Sequence, residues 1–398
     1  MKRTLINLKK NTVIKWAYLG TVTSLIAISM ISSNIYPAQA SQGMNVEIHT
    51  EEEIKEYAEK HSYSEDTSYI ELPDLKAPYS AGRLSSDSLN SALNFLNLVR
   101  YVAGIPYNVQ LDDEYTKLAQ TGTMLNAVNG KMEHNPSKPA DMDEELYQLG
   151  YKGTSSSNLG WGYGSLVSAI KNGWIEDGDA NNIDRVGHRR WVLNPTMKKT
   201  GFGKTGIYTS MYVFDSTFEK TDQYGVVWPA QVMPTELFGK RYPWSISMGY
   251  NVDYESVNVK LTYENTGKVW NFSSSGSDGE FYVDNQWYGQ PGCIIFRPDD
   301  ILGYNDGDRF KVEISGLKEN VEYEVKFFDL YIKYGDANKD GIVNSSDAVL
   351  MKKYLAGYKD LEINLEACDV NLDGVVTSAD VVLVLKKLAG YDVVLGKQ

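Results

Sequence analysis

From residue 84 onward, apolar positions recur at three- and four-residue steps. Leu89, Ala92, Leu93, Leu96, Val99 and Ala103 fall on one face, and that period predicts an amphipathic helix. Asp87 or a neighbouring serine can cap its start and Gly104 its end. Tyr115, Leu118, Ala119 and Leu125 predict a second helix over 112–127, stopped by Asn129-Gly130. Shorter helices are expected near 142–149 and 164–176, and Met211–Phe214 reads as a strand. The period then changes. Val257, Val259, Leu261 and Tyr263 alternate with polar residues, as in a half-buried strand. Phe281–Asp284, Cys293–Phe296, Phe310–Ile314 and Glu322–Phe328 continue the theme between Gly, Asn and Asp turns. Residues 81–220 thus predict a mixed α/β domain, and 225–331 an all-β sandwich. The aromatic residues of the sandwich are assigned to its core rather than to a sugar platform.

The first forty residues stand apart. Lys2, Arg3, Lys9, Lys10 and Lys15 precede an uncharged apolar stretch over 17–32, and Ala38-Gln39-Ala40 offers a small-residue cleavage site. Residues 1–40 read as a secretory signal peptide, with a retained membrane anchor as the alternative. Residues 41–80 are polar and acidic, with Glu51-Glu52-Glu53 and few large apolar side chains. They read as a linker holding a short helix near 51–60, with His49 and His61 solvated and idle.

The full chain carries a net charge of −13, and loss of the five basic residues before position 40 leaves −18. Such a surface has no basic footprint for phosphates, which argues against a nucleic-acid partner. It suits divalent cations. Cys293 and Cys368 are the two cysteines. They lie in different expected modules, so no disulfide framework holds this chain, and ordinary cores or metal must do so.

An internal duplication runs at an offset of 33. Asp336-Ala337-Asn338-Lys339-Asp340-Gly341 is echoed by Asp369-Val370-Asn371-Leu372-Asp373-Gly374, and Leu355-Ala356-Gly357-Tyr358 by Leu388-Ala389-Gly390-Tyr391. Calcium takes six to eight hard oxygens. A 12-residue loop supplies them from positions 1, 3, 5, 7, 9 and 12, turning sharply at a glycine in the sixth position. The first loop offers Asp336, Asn338, Asp340, the Ile342 carbonyl, Asn344 and Asp347, with Gly341 at the turn. The second offers Asp369, Asn371, Asp373, the Val375 carbonyl, Thr377 and Asp380, with Gly374 at the turn. A helix is expected after each loop, over 347–356 and 380–389, and none before.

Two loop-then-helix units with Asp at position 12 resemble the type I dockerin, over residues 332–392. The resemblance implies a small α module folded around two calcium ions, which binds a cohesin on a scaffold protein, usually in a cellulosome. The family's partner-reading positions map onto Ser345, Ser346, Lys352 and Lys353, and onto Ser378, Ala379, Lys386 and Lys387. Near-identity of the copies would permit docking in two orientations, although Leu385 replaces the counterpart of Lys352. A calcium sensor would instead need paired helix–loop–helix hands.

A second signal lies in Glu133-His134-Asn135-Pro136 and in Gly187-His188-Arg189-Arg190-Trp191-Val192-Leu193-Asn194-Pro195. With Leu96-Asn97 to Arg100, and Ala119-Gln120 to Met124, these segments resemble the CAP superfamily of cysteine-rich secretory and pathogenesis-related proteins. The resemblance implies an α-β-α sandwich whose two histidines face one cleft, joined by two acidic residues able to hold zinc or another divalent ion. Ser157 occupies one acidic place, before Asn158-Leu159. Asp177 follows Trp174 at the other, with Glu176 beside it. Two imidazoles and one carboxylate can bind zinc with an open position. The alternatives are a Ser157–His188–Asp177 triad, which only geometry can establish, and histidines that merely hold loops.

The chain is therefore read as a secreted multidomain component docked to an extracellular or cell-surface assembly. Its CAP-like and β domains bind cell wall, polysaccharide or a lipid-like ligand. The competing reading is a hydrolase delivered to the assembly, either for polysaccharide breakdown, although no paired-carboxylate motif of a glycosidase is apparent, or zinc-dependent at the two-histidine cleft.

Overall fold

The computed structural model describes residues 42–217 and 221–396. The expected signal peptide lies outside them. The segment expected to be a linker is instead built into the body. Helix α1 (Glu51–Lys60) starts at Thr50, whose Oγ1 accepts from Glu53 N while the Glu53 carboxylate accepts from Thr50 N. The acidic run is thus a first helical turn, where negative charge suits the helix dipole. Ile54 and Ala58, four apart, are both buried. Two apolar positions are enough to seat a ten-residue helix, too few to stand out in the sequence. Upstream, Gln42 exchanges backbone hydrogen bonds with Glu322, Asn45 N donates to Tyr224 O, and Glu47 N to Gly104 O. His49 is not idle: it stacks on Tyr101 at 3.7 Å, and burial lowers its pKa. His61 Nδ1 donates to Tyr57 O at 3.0 Å, and the two rings stack.

Helix α2 (Ser86–Val102) is capped by Ser85. Its C-terminal half is buried on nearly all sides, including Asn97 and Arg100. Helix α3 (Asp113–Asn129) ends at Gly130 with φ 65°, the left-handed stop expected there. Helix α4 (Glu144–Ser155) runs longer than the 142–149 pattern suggested. It crosses α3 closely because Gly153 lies against α3; a Cβ there would stand 1.9 Å from Leu118 O. The 164–176 segment is a short α-turn, Leu166–Ala169, that continues as a π-helix over Ile170–Ile175.

Ser157–Trp161, Tyr208–Tyr212 and Phe202–Thr205 form an antiparallel three-stranded sheet in that spatial order. All five residues of the central strand are buried. Alternate residues therefore meet protein on both faces, which requires cover on both sides of the sheet. On the α3 side, Ser210 Oγ donates to Ala119 O.

The following region holds two further sheets. One is four-stranded, in the order Gly279–Asp284, Cys293–Pro298, Trp244–Ser247, Val226–Trp228. The other is six-stranded and antiparallel except for its edge strand Val232–Pro234, which pairs parallel with Val321–Phe328. Rings from the two sheets meet: Phe272 contacts Phe281 and Phe296, and Trp244 contacts Phe310 and Phe327. Trp270, Phe272, Phe281, Phe296, Phe310 and Phe327 lie in that core as expected, but Trp287 and Tyr254 do not, being 65% and 40% exposed. The core does not stop at the expected boundary near residue 225. One continuous apolar cluster runs from Ile54 through Phe95, Trp174 and Phe202 to Trp244 and Phe327.

The C-terminal module has its own small core of Ala337, Ala348, Met351, Cys368, Val370, Val381 and Val384. Helices Ser345–Leu355 and Ser378–Leu388 pack against each other. The ends of the module are tied as well, Gly335 N to Ala367 O and Gly396 N to Val370 O.

Candidate functional site

His188 opens the helix Gly187–Val192, behind Val186 at φ 42°. A β-branched residue in the left-handed region is a genuine backbone outlier. It is held because Val186 packs with Cys293 and Ile295 of the four-stranded sheet. Asp177, at the end of the π-helix, is also left-handed, with φ 43°. Strain of this kind persists only where the surroundings over-determine it, and it gathers at functional sites.

The two strained residues bring Asp177 Oδ1 within 2.8 Å of His188 Nδ1. Asp177 Oδ2 accepts from Arg189 N, so both carboxylate oxygens are engaged. Burial alone pulls the His188 imidazolium down, but the charge and hydrogen bond of Asp177 outweigh it, and the pKa lies above the ordinary value. Stability from this pair is therefore complete below the unfolded-state value of 6.5, and is lost as pH rises through the higher folded-state value. Urea midpoints measured from about pH 6 to about pH 9 should decline in the wild type, and Asp177→Asn should flatten that decline. A decline of equal size in Asp177→Asn would remove the pair as its cause.

The other expected partners do not join. His134 Nδ1 donates to Thr154 O at 2.8 Å, and Thr154 Oγ1 returns a bond to His134 O. Glu176 is ion-paired with Arg241 at 2.8 Å, and burial pushes its carboxyl up despite that arginine. Ser157 is buried and its Oγ has no hydrogen-bond partner. It is not bonded to His188, so the His–Asp half of a triad is formed and the nucleophile half is not. Asp177 is held by His188 and Arg189 N and Glu176 by Arg241, and among the described residues the histidines do not gather a third His, Cys, Asp or Glu into a metal-binding group.

The neighbouring motif residues act as staples. Arg189 is fully buried and donates to Ile175 O, Glu176 O, Pro243 O and Ser245 Oγ. Arg190 pairs with Asp284, donates to Gln290 O at 2.7 Å, and lies over the Tyr288 ring. Arg100 donates to Pro106 O, Val192 O and Asn194 O. Asn158 Nδ2 donates to His188 O, and Gln120 clamps Lys204 through both N–H and C=O. Most polar motif residues thus serve backbone carbonyls. Burial of the two adjacent arginines was missed from sequence, where charged side chains are assumed to be exposed.

Each of the two duplicated loops is folded by its own acids. Asp347 Oδ1 accepts from Ala337 N and Asn338 N, and its Oδ2 from Asn344 N. Asp380 accepts from Asn371 N and Thr377 N in the same way. Asp336 Oδ2 accepts from Gly341 N, whereas Asp336 Oδ1 is buried without any partner. Burial, then the neighbouring Asp347 and Asp340 charges, raise the Asp336 pKa. An orphan carboxylate oxygen among like charges fits a cation. Among the described residues no three His, Cys, Asp or Glu side chains converge as a metal cage. Each loop does carry three aspartates, Asp336, Asp340 and Asp347 in the first and Asp369, Asp373 and Asp380 in the second, and their carboxylates are not drawn together into such a cage.

Ser345, Ser346, Lys352 and Lys353 are exposed, as are Ser378, Ala379, Lys386 and Lys387. Apolar neighbours repeat with them: Val349 and Val382 are 49% and 47% exposed, Tyr358 and Tyr391 63% and 64%.

Residues 93–214 match the Cysteine-rich secretory protein family model. Residues 334–389 match the Dockerin type I domain. The chain is thus multidomain, carrying a CAP domain and a C-terminal type I dockerin. Among solved structures, a CaDoc0917–CaCohA2 complex is similar at 43% identity, over 14% of this chain and 95% of that chain, with a TM-score of 0.14. No curated protein matches the chain.

Proposed function

We propose that this protein is an extracellular assembly component that docks through its C-terminal module to a cohesin on a scaffold protein and presents its CAP domain in a binding role. The observation that carries this reading is the duplicated face: two exposed Ser/Lys and apolar sets, 33 residues apart, on two packed helices. The match of residues 334–389 to the Dockerin type I domain supports it. Two calcium ions are assigned, one held by Asp336, Asn338, Asp340, the Ile342 carbonyl, Asn344 and Asp347. The other is held by Asp369, Asn371, Asp373, the Val375 carbonyl, Thr377 and Asp380. A Ser157–His188–Asp177 triad is disfavoured by Ser157, which is buried and without a hydrogen-bond partner.

The test is capture of the intact chain on immobilised type I cohesin in calcium. Replacing Ser345, Ser346, Ser378 and Ala379 together by Asp places like charges at both helix starts and should abolish capture, while either half alone should leave it. Capture that survives the fourfold variant would sink the assignment of these faces.

A further inference from the structure

A large cleft lined by neither histidine lies at the seam between the CAP domain and the β-sheet region. Its volume is about 1060 Å³, the upper end of the range for small-molecule sites, which favour such seams. Trp191 and Phe214 enter from the CAP side, their rings in edge-to-face contact at 5.1 Å. Tyr250 and Trp287 enter from the β side. Trp287 is 65% exposed and Phe214 48%, so flat apolar faces are open to an incoming ligand.

The loop carrying Trp287 is held from beneath. Arg190 donates to the Gln286 and Gln290 carbonyls, pairs with Asp284, and covers the ring of Tyr288. The platform is pre-organised, which lowers the ordering cost of binding. In its wall, Gln290 is 7% exposed. Its Nε2 donates to Gln223 O at 2.8 Å, but its buried Oε1 has no partner. A buried acceptor left unpaired costs free energy until a donor arrives. Asp222 and Glu319 add acceptors at the rim, and Lys318 is drawn over the Tyr250 ring at 4.2 Å.

We infer that this cleft binds a neutral pyranose polysaccharide, an inference that rests on the binding role proposed above. Sugar rings present C–H faces to aromatic planes and hydroxyl donors to Gln290 Oε1 and the rim carboxylates. The same carboxylates repel uronic-acid chains, and their hydroxyl-donor requirement is not met by a purely apolar lipid.

The experiment is affinity electrophoresis of the intact protein in calcium, through gels containing hydroxyethylcellulose, xylan or polygalacturonate. Retardation by a neutral glycan and not by polygalacturonate is expected. Trp287→Ala and Phe214→Ala should each weaken it about tenfold. Trp287 is 65% and Phe214 48% exposed, so circular dichroism should stay unchanged. No retardation by either neutral glycan overturns the inference, as does retardation insensitive to both variants. Preferential retention by polygalacturonate, or by vesicles of neutral phospholipid, overturns it too. Cohesin capture of the same variants should match wild type, so a failure here is distinguishable from a failure of docking.

Discussion

Chelating calcium should unfold residues 332–392, abolish cohesin binding, and leave the rest of the protein folded. The module is small, and its core of seven buried residues holds two alanines, a cysteine and three valines. Domains of this size rarely gather more than about 3–5 kcal/mol from a core alone. Against that stand costs concentrated in the loops. Asp347 and Asp380 are fully buried and Asp336 is 3% exposed. Lys339 and Leu372, at position 4 of each loop, sit at φ 59° and 61°, a left-handed geometry that costs a non-glycine residue about 1–2 kcal/mol. A cation offsets these terms and stabilises the folded state by about 2.7 kcal/mol per site at a hundredfold excess over its Kd. Two sites therefore contribute as much as the core, and binding and folding are one equilibrium. In EDTA the helical signal of the isolated 332–392 segment should fall to that of an unfolded chain, and calorimetric titration against cohesin should be flat. Unchanged binding in EDTA would show that the module folds without the ion.

The C-terminal dockerin was legible because its pattern is local. Position, residue type and turn glycine all fall within twelve residues, and the copy at an offset of 33 repeats the evidence. The helices of the CAP domain were legible for a related reason, since Ala92, Leu96 and Val99 declare a face by spacing. What escaped is what only tertiary contact decides. Glu51-Glu52-Glu53 has the composition of a linker, yet Ile54 and Ala58 dock that helix into the main core. Glu176 and Asp177 are neighbours in sequence with opposite fates. One turns to Arg241 and the other to His188, because the π-helix and the positive φ at Asp177 rotate the chain between them. Trp191 read as one more motif residue, and its part in the cleft depends on Trp287 and Gln290, about a hundred residues away. The β-sheet region looked separable because its strand period differs from the helical period before it. Period reports local structure and says nothing of a shared core.

That shared core leads to the second large effect, at Arg189. Its guanidinium is fully buried, and burial lowers its pKa to about 10, so it stays charged at neutral pH. Nε reaches Ile175 O at 2.7 Å, Nη2 reaches Glu176 O at 2.6 Å, and Nη1 reaches Pro243 O at 2.6 Å and Ser245 Oγ at 3.0 Å. The first two acceptors belong to the CAP domain and the last two to the β-sheet region. Arg189→Ala leaves all of them buried without this donor, at about 1–3 kcal/mol for each unsatisfied group before relaxation. The net loss should be about 3–5 kcal/mol, as when a buried charged partner is removed. For a body of this size, that lowers the melting midpoint by roughly 10 °C. Arg189→Lys should recover little, because a single ammonium cannot reproduce a planar fork aimed at carbonyls on two sides. Calorimetric scans in calcium should show this shift in the main transition only, with the dockerin transition in place. A main transition within about 2 °C of wild type would mean that water replaces the guanidinium. Wild type should also unfold residues 42–331 in one step. Two separable transitions there would show that the arginine joins independent domains rather than one cooperative body.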